Sequence, residues 1–284
     1  MNNETASVQE VFQENGYVIV RNAIGQGPVQ AVLARAETLL GETCDLHRRR
    51  FPRQGSMLPT QLTDPVWASL ITYPSIIRVM NSLGAQDLRW LSGYVISKPP
   101  HSPRLWWHQD WWAWQHPITC ALMPAQLSVM IYPAGATEHN GCLRIIPRSH
   151  RTRHRLHDVL PEAHSPEVNN IHSNHMAYAI QSDEISIPVR PGDIVLCDVR
   201  LLHATFANSS DNERPCITLW YVPSYRNLPE EFKQHYAQHP CQPRAADLEI
   251  LPPHLRKLAI PAAEGDELVS VDLNRTPGEL LPWS

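Results

Sequence analysis

Residues 185–222 read ISIPVRPGDIVLCDVRLLHATFANSSDNERPCITLWYV. Three short β-type runs stand in this stretch: Ile185 to Val189, Asp193 to Cys197 and Cys216 to Val222. Pro191-Gly192-Asp193 is a turn signal between the first two. Upstream, Cys142 to Ile146 and Leu127 to Tyr132 have the same character, bounded by Asn140-Gly141 and Pro133-Ala134-Gly135. Leu88 to Ser97 reads as one or two further strands. Ahead of these the periodicity is helical. Residues 6–15 place Val8, Val11 and Phe12 on one face, and Gly16 stops that helix before a short strand, Tyr17 to Val20. Pro28 opens an amphipathic helix to about Leu40, with Gly41 as its C-cap. A third helix is expected from about Ser75 to Leu83, ended by Gly84. Residues 44–64 read as polar and irregular, with the basic run His47-Arg48-Arg49-Arg50. The Pro-rich tail from about Pro223 offers one helix near Glu230 to His239. Helices first and short strands later predict a mainly β fold with flanking α, a β-sandwich with N-terminal helices outside it. We read residues 1–284 as a single domain: a helical part over about 1–85, a core over about 86–223 and a tail over 224–284.

Composition narrows the function classes. The chain has 284 residues, a formal net charge of -4 and 43% hydrophobic residues, enough for a sizeable core. A weakly acidic protein is a poor general nucleic-acid binder, because phosphate neutralisation needs a basic excess. No run of about 18 apolar residues exists, so no membrane span is expected. The first residues, Met1-Asn2-Asn3-Glu4-Thr5, carry no basic and apolar leader pattern. The six Cys at 44, 120, 142, 197, 216 and 241 form no C-x-x-C pair, which fits reduced thiols in a cytoplasmic protein. Gly-rich phosphate loops and the G-x-S-x-G nucleophile elbow are absent.

One constellation carries chemistry. The chain holds 15 His, yet His108-Gln109-Asp110 is its only His-x-Asp/Glu triplet. On a strand, residues i and i+2 share a face, so imidazole and carboxylate can reach one ion. Two His and one carboxylate are the facial ligand set of non-haem Fe(II) oxygenases. His203 is the best candidate for the second His, following the turn and strand that begin at Pro191. Arg214 lies where an adjacent antiparallel strand would face the same cavity, and a buried guanidinium suits a bidentate anion. Taken singly, Asp110 and Arg214 read better as surface charges and His108 as a buried, hydrogen-bonded core residue, and Thr205 also reads as an ordinary strand residue.

Together, these residues resemble the phytanoyl-CoA dioxygenase superfamily. The resemblance rests on His108-Gln109-Asp110, on the segment from Glu138-His139-Asn140-Gly141 to Pro147-Arg148-Ser149-His150, and on Pro191-Gly192-Asp193 leading to His203-Ala204-Thr205 and Arg214. It runs from Phe12 to about Val222. It implies a double-stranded β-helix (jelly-roll, cupin-like) core and an enzyme that uses Fe(II), 2-oxoglutarate and O2. It makes His108, Asp110 and His203 the iron ligands and Arg214 the anchor of the distal 2-oxoglutarate carboxylate, with Thr205 donating to the same group. Lys98 matches a position that sometimes contacts the co-substrate. The implied reaction is hydroxylation of an unactivated C–H bond of a small molecule, with succinate and CO2 as co-products. Related halogenases lack the carboxylate, so Asp110 favours hydroxylation; desaturation, epoxidation and ring formation use the same ligands. The family often has Pro-Gly-Ser-His where this chain has Pro147-Arg148-Ser149-His150, a change in a structural loop. Two readings from other classes stay open: a non-catalytic jelly-roll binding protein, and a cupin-type metal hydrolase or isomerase using Zn or Mn.

Five of the nine Trp fall between 106 and 114. Inward members would give a flat apolar wall beside the metal. Trp114, with Trp111 behind it, is the expected substrate wall; plain core packing is the alternative for at least two of the five. The basic stretch Arg148 to His157 leads into a polar segment to about Asp183 that contains His164, His172 and His175. It reads either as a mobile lid that attracts an anionic substrate or as a solvated loop.

Overall fold

The fold was derived from a computed structural model, which describes residues 7–50, 53, 55–163, 165, 167, 171–262, 271 and 273–276. Helix α1 (Val8–Asn15) begins with a reciprocal capping box between Ser7 and Glu10 and ends at Gly16 in the left-handed conformation, φ 80°. Strand β1 (Tyr17–Val20) follows. Helix α2 spans Gln26–Gly41, one turn fragment earlier than Pro28, and its C-cap is Glu42, so Gly41 is the last helical residue and not the cap. The stretch over 44–64 is not irregular: it holds α3 (Asp45–Arg50) and β2 (Ser56–Pro59). Its polar composition hid both. Helix α4 (Pro65–Ile71) was also missed, although Asp64 caps it by accepting from the N–H groups of Val66 and Trp67 and Pro65 opens it. Helix α5 (Pro74–Ser82) matches the expected third helix.

The remaining strands are β3 (Arg89–Lys98), β4 (Leu127–Ile131), β5 (Leu143–Ile145), β6 (Ile185–Ile187), β7 (Ile194–Asp198), β8 (His203–Thr205) and β9 (Arg214–Val222). They form a six-stranded sheet in the order β1-β7-β4-β9-β3-β2 and a three-stranded sheet in the order β6-β5-β8. All pairings within both sheets are antiparallel. Two strands of the large sheet therefore come from the N-terminal part. Beyond β9, the tail carries α6 (Glu230–Ala237), α7 (Ala245–Ile250) and α8 (Pro253–Leu258), where one helix was expected.

Alternation explains how the layers stack. In β4, Leu127, Val129 and Ile131 join the core under the helices with Val32, Trp67, Ile76 and Met80. Met130, from the other face of the same strand, packs against Leu143, Ile145 and Ile187 of the small sheet. Strands β7 and β9 divide in the same way, so the large sheet is buried on both faces and its central strands read as continuous apolar runs. Among the described residues, no helix is long and apolar enough to cross a membrane.

Candidate active site

His108, Gln109 and Asp110 do not lie on a regular strand. They sit in an extended segment, Leu105 to Trp111, that runs antiparallel to residues 199–205. Leu105 N–H donates to Thr205 O at 3.3 Å, and Asp110 N–H donates to Val199 O at 2.9 Å. His108 and His203 exchange both backbone hydrogen bonds, each 2.9 Å. This pairing sets the two imidazoles side by side, with ring centroids 4.1 Å apart. The Asp110 carboxylate is 3.8 Å from His108 Nε2 and 3.9 Å from His203 Nε2. The three form a group whose donor atoms could hold one metal ion, and it is the one such group among the described residues.

Outer contacts orient the donors. His108 Nδ1 lies 3.0 Å from Trp106 O, and His203 Nδ1 lies 3.0 Å from Leu201 O. A carbonyl can only accept, so each Nδ1 carries the proton and each Nε2 keeps a lone pair for a metal. Gln109 points the other way and donates to Arg200 O. It also lies 3.0 Å from His157 Nε2. His157 is held down at about 4, mainly by burial and then by His154 and Arg153, so it is neutral. Arg200 forms a buried two-bond pair with Asp198 at 2.6 and 2.9 Å and braces the turn between β7 and β8. Burial works to raise the Asp198 carboxyl, but the Arg200 guanidinium outweighs it and holds it below its usual value. Sequence reading missed Gln109, Arg200 and Asp198, because a brace carries no motif of its own.

Arg214 does not lie on a strand next to β8. It begins β9 in the other, larger sheet, and Thr205 of β8 lines the same cavity. Lys98 is its direct cross-strand partner on β3. The Arg214 side chain is buried over the Tyr132 ring at 4.9 Å, and its Nε donates to Asn140 O at 3.3 Å. Its Nη1 is buried with no hydrogen-bond partner. Glu213 is turned outward to Arg48 at 3.3 Å and leaves the guanidinium uncompensated. Lys98 donates to Pro103 O at 2.7 Å and Arg53 O at 3.2 Å. Burial, then Arg214 and Arg53, push the Lys98 ammonium down to about 6. A buried cationic end with an unsatisfied guanidinium N–H is built to receive an anion.

The Asn140-Gly141 turn supports this end. Gly141 has φ 88°, and a Cβ there would come within 2.5 Å of Lys98 Cδ. Gly141→Ala should therefore cost about 1–3 kcal/mol of stability, a loss of several degrees in Tm. Thermal unfolding followed by circular dichroism checks this, and an unchanged Tm would show that the turn tolerates a side chain.

The expected substrate wall lies elsewhere. Trp111 and Trp114 are fully buried in a separate core with Phe232 and Tyr236, away from the metal-facing cavity. Trp112, between them, lines a second chamber together with Trp220. The basic stretch is not a free lid: His150 and His157 are buried, Leu156 packs on Trp107, and Trp107 Nε1 donates to Ala179 O. His154 and His175 cap short 3-10 turns. His164 lies outside the described residues.

The sequence profile described as phytanoyl-CoA dioxygenase (PhyH) matches residues 12–216, well over half of the chain. The chain belongs to the phytanoyl-CoA dioxygenase family. A probable phytanoyl-CoA dioxygenase of Caenorhabditis elegans is 22% identical over 248 residues, covering 77% of this chain and 75% of that protein. Ectoine dioxygenase of Sphingopyxis alaskensis is 24% identical over 235 residues, covering 78% and 76%. Among solved structures, the non-heme alpha ketoglutarate dependent epimerase SnoN from nogalamycin biosynthesis superposes with a TM-score of 0.56 at 21% identity, over 75% of this chain and 80% of that one. Membership makes the chain a dioxygenase dependent on Fe(II) and 2-oxoglutarate. Two structural facts fit those groups. The His, Asp, His donor atoms converge on one point, and the buried Arg214 Nη1 has no hydrogen-bond partner among the described residues.

Proposed function

We propose that the protein hydroxylates an unactivated C–H bond of a small molecule, forming succinate and CO2 as co-products. In this reading His108, Asp110 and His203 hold Fe(II), leaving one face of the ion open. Arg214 binds the distal carboxylate of 2-oxoglutarate, and Thr205 donates to it from the facing strand. Lys98 stands beside Arg214, and because burial and the Arg214 guanidinium push its ammonium down to about 6, a dianion bound there would favour its protonated form. When bound, Fe(II) and 2-oxoglutarate supply the oxidising chemistry: O2 cleaves the keto acid oxidatively, and one oxygen atom enters the substrate C–H bond. The chain's own residues orient the reactants and exclude water, since the cavity is walled by Ile96, Met130, Leu143 and Cys216.

The observation that carries this reading is the single cavity holding a three-donor metal group at one wall and an uncompensated buried guanidinium at the other. We further propose that residues 1–284 act as one catalytic domain on a double-stranded β-helix core, in the reducing cytoplasm. The first test supplies purified protein with Fe(II), 2-oxoglutarate and O2 and measures succinate. Succinate that requires all three supports the oxygenase; none from folded, iron-loaded protein returns the choice to a binding protein or a hydrolase.

A further inference from the structure

The large sheet shows a graded face to the cavity. Cross-strand neighbours run Lys98–Arg214, Ile96–Cys216, Tyr94–Thr218 and Ser92–Trp220. Residues two apart on a strand share a face, so these pairs form one continuous wall. It passes from the Arg214 guanidinium and the Lys98 amine to aromatic rings over roughly 20 Å, taking about 3.3 Å per residue. The cationic end belongs to the cavity already described. The aromatic end lines a second chamber of about 370 Å³, which falls in the size range of small-molecule sites. Asp110, Met57 and Trp220 line both spaces, so the second chamber opens at the metal group.

Its walls are specific. Trp220 meets Tyr94 edge to face at 5.9 Å. Trp112 carries the His235 ring at 4.4 Å and the Tyr236 ring edge-on at 5.8 Å. The two histidines in it are neutral at pH 7: burial lowers His235, and burial with His235 beside it holds His239 at about 4. His239 Nδ1 accepts from Cys241 N–H at 3.2 Å, so its Nε2 carries the proton and is a donor. The C-terminal strap supplies the remaining wall. Asn274 N–H donates to Trp112 O and Trp114 N–H donates to Asn274 O, and this brings Arg275 to the chamber. Among the described residues, Asp110 is the one carboxylate that lines the chamber, and it belongs to the candidate metal group.

We propose that this chamber is the substrate site and that it selects a flat, aromatic ring system bearing a carboxylate or similar acceptor group. The inference rests on the oxygenase reading for the reaction but not for the binding. The ring system packs against Trp220 and the edge of Trp112, whose ring already lies on His235 and Phe232, and the acceptor group meets the His239 N–H and the Arg275 guanidinium. Among the described residues, an ammonium group would find aromatic rings but no carboxylate beyond Asp110 of the candidate metal group, with a guanidinium nearby instead.

The test uses metal-free full-length protein and three probes: 2-naphthoate, 2-naphthylmethylammonium and cyclohexanecarboxylate. Binding is read by calorimetry and ligand-observed NMR, in wild type and in Trp220→Leu, Arg275→Gln and Arg214→Ala, each checked for folding. Naphthoate should bind at least tenfold tighter than either other probe. It should weaken about tenfold in Trp220→Leu and about fivefold in Arg275→Gln, and change little in Arg214→Ala. Equal or tighter binding of the ammonium probe, dependence on Arg214 in place of Arg275, or no naphthoate binding would overturn the proposal. Titration with 2-oxoglutarate and Fe(II) in the same preparation separates the readings, because its failure alone would sink the oxygenase and leave the chamber assignment standing.

Discussion

Arg214→Ala should raise the 2-oxoglutarate concentration needed to half-saturate the Fe(II)-loaded protein by roughly 30- to 3,000-fold. The range is a loss of about 2–5 kcal/mol for truncating one partner of a buried, hydrogen-bonded charge pair, at about 1.4 kcal/mol per tenfold. The large expectation follows from the environment. Arg214 is buried, its Nη1 has no protein partner, and Glu213 is drawn away to Arg48. Among the described residues, no carboxylate pairs with the guanidinium, so under the proposed reading its binding capacity goes to the co-substrate. The measurement is an anaerobic titration that follows the visible absorption of the iron-bound keto acid. Arg214→Lys should recover only part of the affinity, because a point charge cannot make the two parallel bonds of a guanidinium. An Arg214→Ala protein that saturates at the wild-type concentration would remove the anchor assignment.

Asp110→Ala should lower Fe(II) affinity by more than about 100-fold and abolish hydroxylation. Loss of an outer partner of a metal ligand already costs about 10–100-fold, and here a ligand itself is lost. The fold should survive, because the segment is held through the backbone bonds of His108 to His203 and of Asp110 N–H to Val199 O. Iron content after equilibrium dialysis, with circular dichroism as the folding control, measures the effect. Wild-type iron binding in the variant would mean that Asp110 is not a ligand.

The two variants strike opposite walls of one cavity, and their readouts differ. Asp110→Ala removes the metal and with it the absorption signal. Arg214→Ala leaves the metal bound and shifts the co-substrate curve. Gln109→Ala would act through position alone, since Gln109 ties the segment to Arg200 O and touches neither reactant.

Much of this was legible along the chain. The short helix before Gly16, the stop at Gly16 and the apolar runs of β4, β7 and β9 are local patterns, and local sterics and hydrogen bonding enforce them. Polar stretches were harder to read. Helix α3 and strand β2 draw their stability from partners distant in sequence: β2 pairs with β3, and Arg48 reaches Glu213. The tail gave no motif, yet its strap pairs with the Trp112 to Trp114 segment and carries Arg275 to a chamber wall.

The sequence by itself determined the donor types, His108, Asp110 and His203 with Arg214, and the strand-rich core that carries them. A residue's chemistry and a strand's period are properties of the chain itself. Tertiary structure decided which aromatic rings reach a chamber beside the candidate metal group. Trp111, Trp112 and Trp114 are near neighbours in sequence and share one core with Phe232 and Tyr236, yet of the three only Trp112 also lines a chamber. The segment that carries them is extended but irregular, so strand alternation does not assign its faces. Their exposure follows from α6 and the C-terminal strap closing over them, contacts more than a hundred residues away along the chain.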